Sequence, residues 1–151
     1  MSHCLEHPDG RKEWLVAGVL HREDGPAVEH VNGGKEWWMY GKRHREDGPA
    51  IEHPRDGGKE WWINSKRHRE DGPAIECPDG TKIWYTHGSL HREGGPAVER
   101  PNGSREWRIN GNLHREGGPA LEYSNGRKEW WVNGKRQPRT EAVFDWNSEG
   151  F

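Results

Sequence analysis

The apolar residues of this chain fall in short runs that turn signals interrupt every few residues. Asn-Gly or Asp-Gly between apolar–polar alternations is the strongest short-range hairpin signal, because a type I′ turn needs two successive residues with positive φ. Frequent glycine and proline also disfavour helix. The pattern therefore predicts a meander of β-hairpins. One series of pairs comprises Asn32-Gly33, Asp56-Gly57, Asp79-Gly80, Asn102-Gly103 and Asn125-Gly126, and a second includes Asn110-Gly111 and Asn133-Gly134.

These hairpin signals belong to a repeat of 23 or 24 residues. Gly-Pro-Ala begins at Gly25, Gly48, Gly72, Gly95 and Gly118, and a tryptophan column with the same spacing comprises Trp14, Trp37, Trp61, Trp84, Trp107 and Trp130. We predict an all-β fold, an elongated single-layer antiparallel meander of about six β-hairpin repeats in a single domain, residues 1–151. The repeats are placed at about 4–26, 27–49, 50–73, 74–96, 97–119 and 120–141, with a C-terminal cap at 142–151.

The turn positions predict which residues lie opposite each other. A first turn centred on Asn32-Gly33 places Val28 opposite Trp37. The same register places Glu29 opposite Glu36, a like-charge pair that is unfavourable by itself. The aliphatic residue of each repeat would then share a face with the first tryptophan.

A second turn, centred on Tyr40-Gly41, predicts two more pairs. Arg43 lies opposite Trp38, and Arg45 lies opposite Glu36, where it would offset the like-charge pair. The assignment defines two faces. Face A carries Trp37, Met39, Val28 and His44, and face B carries Glu36, Trp38, Arg43, Arg45, Ala27 and Glu29.

Two irregularities in the spacing of residues within the repeats lead to further predictions. Since His44 and Ile51 are seven residues apart, sharing a face requires the chain to change faces between them, and Gly48-Pro49 is the expected place. The third repeat has one extra residue in the stretch 53–56, which predicts a longer turn or a bulge.

Composition limits the kind of core and the classes of function. Hydrophobic residues make up 29% of the chain, too few for a deep aliphatic core, so we expect the first tryptophan column to be the core of face A. No run approaches the about 18 apolar residues of a membrane span. The net charge of −2 gives no argument for duplex nucleic acid. Cys4 and Cys77 make no disulfide framework, and the reducing cytoplasm is the expected compartment.

Each repeat joins a tryptophan hairpin to a His-Arg-x-x-Gly-Pro-Ala segment, at 21–27, 44–50, 68–74, 91–97 and 114–120. Over about residues 4–136 the chain resembles the divergent MORN-like repeats of bacterial and phage proteins, with Lys-Glu-Trp-Trp in place of the usual Tyr-x-Gly. The resemblance implies an elongated, twisted half-pipe sheet and a non-enzymatic role without catalytic residues. For a phage protein it implies sequestration of a host signalling nucleotide, an anti-defence role in the host cytoplasm.

The recurring histidines and acids invite a metal or a catalytic interpretation, and we favour neither. Same-column histidines of neighbouring repeats lie about 9.6 Å apart at the strand spacing, too far to share a zinc ion. We expect each histidine to pack on tryptophan and to bond the acids that follow it. Five near-identical copies of an acid–base string indicate a repeated folding problem rather than one active site. We therefore predict no enzyme activity, no metal and no cofactor.

The second aromatic column is the candidate ligand site. It comprises Leu15, Trp38, Trp62, Tyr85, Arg108 and Trp131. Because it admits an arginine, the column tolerates water and either contacts a ligand or covers an Arg–Glu ladder. Tryptophan beside arginine suits a planar anionic ligand such as a nucleotide. The candidate ligand-binding residues are Trp38, Trp62, Arg43, Arg45, Arg67, Arg69, Tyr85 and Trp131.

A protein partner remains the alternative to a small anionic ligand, since tryptophan and arginine are also favoured at protein interfaces. In that case the protein is a scaffold that binds and inhibits or localises another protein. A membrane surface is disfavoured by the even charge balance. The apolar, off-pattern tail, residues 142–151, either caps the last hairpin or mediates a homodimer.

Overall fold

The computed structural model describes residues 3–138 and contains strands and turns there, with no helix. The expected cap at 142–151 lies outside the described residues. The strands are β1 His3–Glu6, β2 Lys12–Val16, β3 Val19–Leu20, β4 Val28–Glu29, β5 Lys35–Glu36, β6 Trp38–Met39, β7 Lys42–Arg43, β8 Ile51–Glu52, β9 Lys59–Glu60, β10 Trp62–Ile63, β11 Lys66–Arg67, β12 Ile75–Glu76, β13 Lys82–Ile83, β14 Tyr85–Thr86, β15 Ser89–Leu90, β16 Val98–Glu99, β17 Arg105–Glu106, β18 Arg108–Ile109, β19 Asn112–Leu113, β20 Leu121–Glu122, β21 Lys128–Val132 and β22 Lys135–Gln137.

The strands form one long antiparallel sheet with a row of small hairpins beside it. The main sheet has 14 strands and runs in chain order, apart from the tip strands. Four tip hairpins, β6–β7, β10–β11, β14–β15 and β18–β19, form separate two-stranded sheets. Single backbone bonds join successive tips, for example from the Ser65 N–H to the Arg43 carbonyl at 2.9 Å. The predicted all-β meander of repeated hairpins is confirmed.

The first turn of each repeat is not the expected type I′ turn. In the second repeat the Gly33 N–H donates to the His30 carbonyl, and the His30 N–H donates to the Gly34 carbonyl, both at 2.8 Å. Gly33 has a φ of 85°, whereas Asn32 does not have positive φ. This is a three-residue loop ending in a G1 bulge. The turn centre on Asn32-Gly33 is therefore wrong.

The bulge changes the register of the sheet by one residue. Val28 lies opposite Glu36, and Glu29 lies opposite Lys35. The expected pairs Val28–Trp37 and Glu29–Glu36 are both wrong, and the like-charge pair does not form.

A one-residue shift also moves every side chain of the strand to the other face. Val28 therefore lies on face B with Glu36, while Ala27 and Glu29 lie on face A, the reverse of the expected assignment. Ile51 occupies the face-B position of the next repeat, so the expected face change at Gly48-Pro49 is not needed.

The second turn agrees with the sequence pattern. Tyr40 and Gly41 both have positive φ, 49° and 73°. Trp38 lies opposite Arg43, as predicted. The extra residue of the third repeat is absorbed as predicted, in a longer turn where the Gly57 N–H donates to the His53 carbonyl.

Two columns of residues cross the main sheet from strand to strand. Opposite charges directly across a ladder contribute about 0.2–1 kcal/mol where the side chains approach each other, and within residues 3–138 the Arg105–Glu122 pair of the face-A column lies at 4.0 Å. On face A, acids and bases alternate in the order Glu6, Lys12, Glu29, Lys35, Glu52, Lys59, Glu76, Lys82, Glu99, Arg105, Glu122 and Lys128. On face B, aliphatic residues alternate with glutamates, and Ile83 takes the place of one glutamate.

The buried positions belong to small and aliphatic residues. The alanine of every Gly-Pro-Ala is completely buried, and Val28, Ile51 and Val98 are buried as well. All tryptophans of both columns in residues 3–138 are half-buried, and no large side chain there is fully buried. The expectation that the first tryptophan column is the core of face A is therefore wrong; those rings are half-buried, and an arginine stacks on five of them.

The first tryptophan column should nevertheless carry more of the stability than the second. Trp61→Ala should lower the melting temperature more than Trp62→Ala, because the Arg69 guanidinium packs on the Trp61 ring at 4.0 Å and is itself bonded to two other segments. Since Trp61 is half-buried, we expect a loss near the lower end of the about 3–5 kcal/mol for buried aromatics. Thermal unfolding followed by circular dichroism measures both variants. Equal shifts would contradict the unequal roles of the two columns.

Candidate functional site

An alternation of arginine and aromatic side chains runs along the tip hairpins on face B. The Arg43 guanidinium carbon lies 4.8 Å from the ring centroid of Trp38 in its own hairpin and 5.6 Å from that of Trp62 in the next. Arg67 repeats these distances to Trp62 and Tyr85. We call Trp38, Arg43, Trp62, Arg67 and Tyr85 the Arg–aromatic ladder. The structure thus brings together five of the eight sequence-predicted site residues.

Glutamates of the main sheet hold the ladder in place. The Trp38 indole N–H and the Arg43 Nε both donate to Glu36 Oε2, at 3.1 and 3.3 Å. Glu60 receives the same two bonds from Trp62 and Arg67, at 3.1 and 3.2 Å. The tryptophan of the second column lies two positions after the glutamate, and this spacing allows its indole N–H to reach the glutamate carboxylate.

Substitutions along the column follow the same rule. Arg108 replaces the tryptophan in the fifth repeat, and its Nε donates to Glu106 at 3.0 Å. In the fourth repeat Ile83 replaces the acid, and Tyr85, which has no N–H on its ring, replaces the tryptophan. The arginine in this column thus reflects a shared donor role toward the glutamate.

The ladder arginines keep hydrogen-bonding capacity. Arg43 and Arg67 each donate through Nε to a glutamate, and their terminal nitrogens have no hydrogen-bond partner within residues 3–138. Both side chains are 36% exposed. An arginine fixed at Nε with free terminal nitrogens is pre-oriented to pair with an anion.

The other two predicted arginines lie elsewhere. Arg45 stacks on the face-A ring of Trp37, with its guanidinium carbon 3.9 Å from the centroid, and Arg69 does the same on Trp61. Arg45 donates from Nη1 to Glu52 at 3.0 Å, not to Glu36, so the predicted Arg45–Glu36 pair is wrong. Arg45 and Arg69 belong to face A and do not join the Arg–aromatic ladder.

This face-A stack recurs in five repeats and was not foreseen from the sequence. In each, the arginine carbon lies 3.8–4.1 Å from the tryptophan centroid, and Nη1 donates to the proline carbonyl of the Gly-Pro-Ala segment. A Cβ on Gly48 would lie 2.9 Å from the Arg45 guanidinium carbon, which explains the glycine. The available signal was the fixed spacing of three residues between arginine and glycine.

The histidine column links neighbouring repeats. His44 Nδ1 accepts the Asn64 N–H at 3.3 Å, and His21 Nδ1 accepts the Tyr40 N–H at 3.1 Å. The other three histidines of the column make the equivalent bond to the next tip turn. Each histidine therefore satisfies a donor of a type I′ turn one repeat ahead.

Trp131 lies apart from the ladder. It pairs with Arg136 in the last described hairpin, and the Arg108–Leu113 pair lies between it and Tyr85. The ladder is thus limited to repeats two to four, since Leu15 and Leu20 form the corresponding pair in the first repeat.

Within the described part of the chain, no three His, Cys, Asp or Glu side chains are grouped as metal ligands. Cys4 and Cys77 are free thiols. Within residues 3–138, no helix is long and apolar enough to cross a membrane. Compared with known proteins, the sequence matches no family profile and no curated protein.

The half-buried acids of face B should make stability depend on pH. Burial of Glu36 opposes its ionisation, but His30, Arg43 and Trp38 outweigh burial and hold the pKa of this carboxyl below its ordinary value of 4.5. Arg100 and Arg108 lower the pKa of Glu106 in the same way against its burial.

A lowered folded-state pKa contributes stability that is present above the unfolded value of about 4.5 and is lost as the pH falls through the folded value. Urea unfolding measured from neutral to acidic pH should therefore show a decline below about pH 4.5. Glu36→Gln should be less stable at neutral pH and should show a shallower decline. A decline as steep as that of the unsubstituted protein would contradict the role of Glu36.

Proposed function

We propose that the protein is a non-enzymatic MORN-like repeat protein that binds and sequesters a planar anionic ligand, such as a nucleotide, on the Arg–aromatic ladder. The observation that carries the proposal is the pair of arginines, Arg43 and Arg67, which lie between aromatic rings and whose terminal nitrogens have no hydrogen-bond partner among residues 3–138. Such groups combine stacking with charge-assisted hydrogen bonding to a phosphate.

The extent of the ladder supports a ligand role over a purely structural one. The Leu15–Leu20 pair and the Arg108–Leu113 pair occupy the same place in the first and fifth repeats without breaking the array. Repeating Trp–Arg pairs are therefore not required for folding. The Trp–Arg pairs of repeats two and three are neighbours, so they form one continuous surface of groups suited to ligand binding.

A shallow groove lies between the tip hairpins of the third and fourth repeats. It supports a ligand position there. Its volume is about 420 Å³, and its lining includes Trp62, Lys66, Arg67 and Tyr85. Small-molecule sites usually occupy about 300–1,000 Å³. The ligand's ring would lie beside Trp62 and Tyr85, and Lys66 and Arg67 would pair with its anionic groups.

The proposed role needs no reaction, cofactor or metal. Sequestration in the cytoplasm, or in the host cytoplasm if the protein is phage-encoded, is the setting we propose. A protein partner bound on the same ladder is the competing outcome of the tests below.

Trp62→Ala should weaken ligand binding by roughly 5- to 150-fold without unfolding the protein, since stacking on an aromatic ring contributes about 1–3 kcal/mol per base. Calorimetry against a panel of cyclic and linear nucleotides measures the effect. Arg108→Ala is the control, because Arg108 shares the column but lies outside the ladder. If no member of the panel binds, or if the control loses as much affinity, the protein-scaffold role replaces the nucleotide role.

Arginine geometry gives a second test. Arg67→Lys should weaken binding of the same nucleotide, because lysine keeps the charge but lacks the planar fork that stacks on Trp62 and pairs with a phosphate. Arg69→Lys is the matched control, since Arg69 lies on face A. Equal losses of affinity in two folded variants would contradict the placement of the ligand on face B.

A further inference from the structure

Each end of the main sheet has one strand edge without a partner among residues 3–138. At the first end, β1 pairs with β2 on one side only. At the last end, Lys128 and Glu129 of β21 pair with β20, and their other edge has no partner in the same part of the chain. Unpaired edges of this kind bind a further strand through backbone hydrogen bonds.

The first strand, β1, has the sequence and register of an internal strand of the sheet. Leu5 and Glu6 pair with β2 in the same way as Leu121 and Glu122 of β20 pair with β21. Unlike β1, β20 also pairs with the strand before it, β17. Leu5 is 43% exposed, whereas the equivalent Val28, which lies between two strands, is 4% exposed. The outer edge of β1 therefore fits a Lys-Glu strand such as the one that precedes β20.

The charges at the two edges are complementary. Within residues 3–138, the face-A column has Glu6 at one end and Lys128 at the other. A second copy that adds its β1 to β21 in the register of β20 on β17 places Glu6 opposite Lys128 and Leu5 opposite Glu129. The alternation of acids and bases on face A then continues from one copy into the next.

The first and last tip hairpins also match each other. Successive tips are joined by a backbone bond from the later turn to the earlier tip, such as the Gly134 N–H to the Leu113 carbonyl at 2.9 Å. Gly18 is the equivalent donor of the first tip, and its N–H has no acceptor among residues 3–138. The equivalent acceptor of the last tip is the Arg136 carbonyl. The register that pairs β1 with β21 therefore brings this donor and this acceptor together.

A side-chain bond of the repeat junction is available at the same place. His114 Nδ1 accepts the Asn133 N–H of the next tip turn at 3.1 Å. In the last described hairpin Gln137 stands in the position of that histidine, and its side-chain oxygen is also an acceptor. The donor it would meet in a second copy is the Ala17 N–H of the first tip turn.

We propose that copies of this chain associate head to tail, with β1 of one copy added to the free edge of β21 of another. The contact between copies then repeats the contact between neighbouring repeats within one copy. Because the two surfaces differ, the association is heterologous and continues beyond a dimer. The interface does not include the Arg–aromatic ladder of repeats two to four, so this proposal and the proposed function can fail independently.

Sedimentation velocity of the full chain at rising protein concentration and low ionic strength tests the association. We expect a weight-average sedimentation coefficient that rises with concentration and passes the value of a dimer. The competing occupant of the β21 edge is the chain's own segment 143–145, whose sequence, Val-Phe-Asp, resembles Ala120-Leu121-Glu122. A protein that stays monomeric at every concentration would favour that occupant and overturn the proposal.

Charge reversal at the two edges locates the contact. Glu6→Lys and Lys128→Glu should each weaken association by about two- to tenfold, because each places like charges opposite one another between copies. An equimolar mixture of the two variants should recover the association, since every contact between unlike variants then pairs opposite charges. Lys59→Glu is the matched control: it reverses the same kind of residue in the same column, but its strand is paired on both sides.

Circular dichroism checks that all three variants fold, and the control should associate as strongly as the unsubstituted protein. A mixture that associates no better than the separate variants would contradict the pairing of Glu6 with Lys128. An association that Lys128→Glu leaves unchanged would indicate that β1 pairs with β1 of the other copy, and it would also overturn the proposal.

Discussion

The stack of an arginine on the first tryptophan of its own repeat is the contact on which the rest of this structure depends. Arg45 covers the Trp37 ring, holds the Pro49 carbonyl and reaches Glu52 in the main sheet. Its backbone N–H donates to the Trp62 carbonyl of the next tip hairpin. One residue therefore connects the tip, the loop and the sheet, and it links two repeats.

This contact explains how a chain with so few aliphatic residues forms a long sheet. Completely buried alanines allow the loops to approach the sheet, and five half-buried tryptophans of the first column are covered by arginine rather than by a second layer. Desolvated cation–π contacts contribute up to about 2 kcal/mol, comparable to burying an aliphatic side chain. Since each repeat contacts only its neighbours, stability accumulates along the array.

The arginines of the two faces have different roles. Those of face A hold the structure together, and those of face B are the candidate ligand-binding groups. Arg45 and Arg69 use Nε and Nη1 in bonds to their own chain. The side chains of Arg43 and Arg67 make only the Nε bond within the described residues. The face-B arginines therefore keep donors for a ligand, while the face-A arginines hold the loops whose glutamates point to solvent.

The repeat period and the type I′ tips could be predicted because their signals are local. Tyr40-Gly41 and its equivalents set the Trp38–Arg43 pairing correctly. The first turn could not be placed as well, since Asn32-Gly33 suits both a type I′ turn and a G1 bulge, and this difference of one residue exchanges the faces of Val28 and Ala27. The role of Arg45 also escaped prediction, because loop side chains do not follow strand alternation. All five residues of the Arg–aromatic ladder were among the predicted site residues, whereas Arg45, Arg69 and Trp131 were included in error because they lie elsewhere.

A double-mutant cycle on Trp61 and Arg69 tests the central role of the arginine stack most directly. The free energy of unfolding in urea is measured for the unsubstituted protein, Trp61→Ala, Arg69→Ala and the double variant. If the stack holds the array together, the coupling energy should reach about 1–2 kcal/mol. A coupling energy near zero, with the two single losses simply additive, would contradict the account.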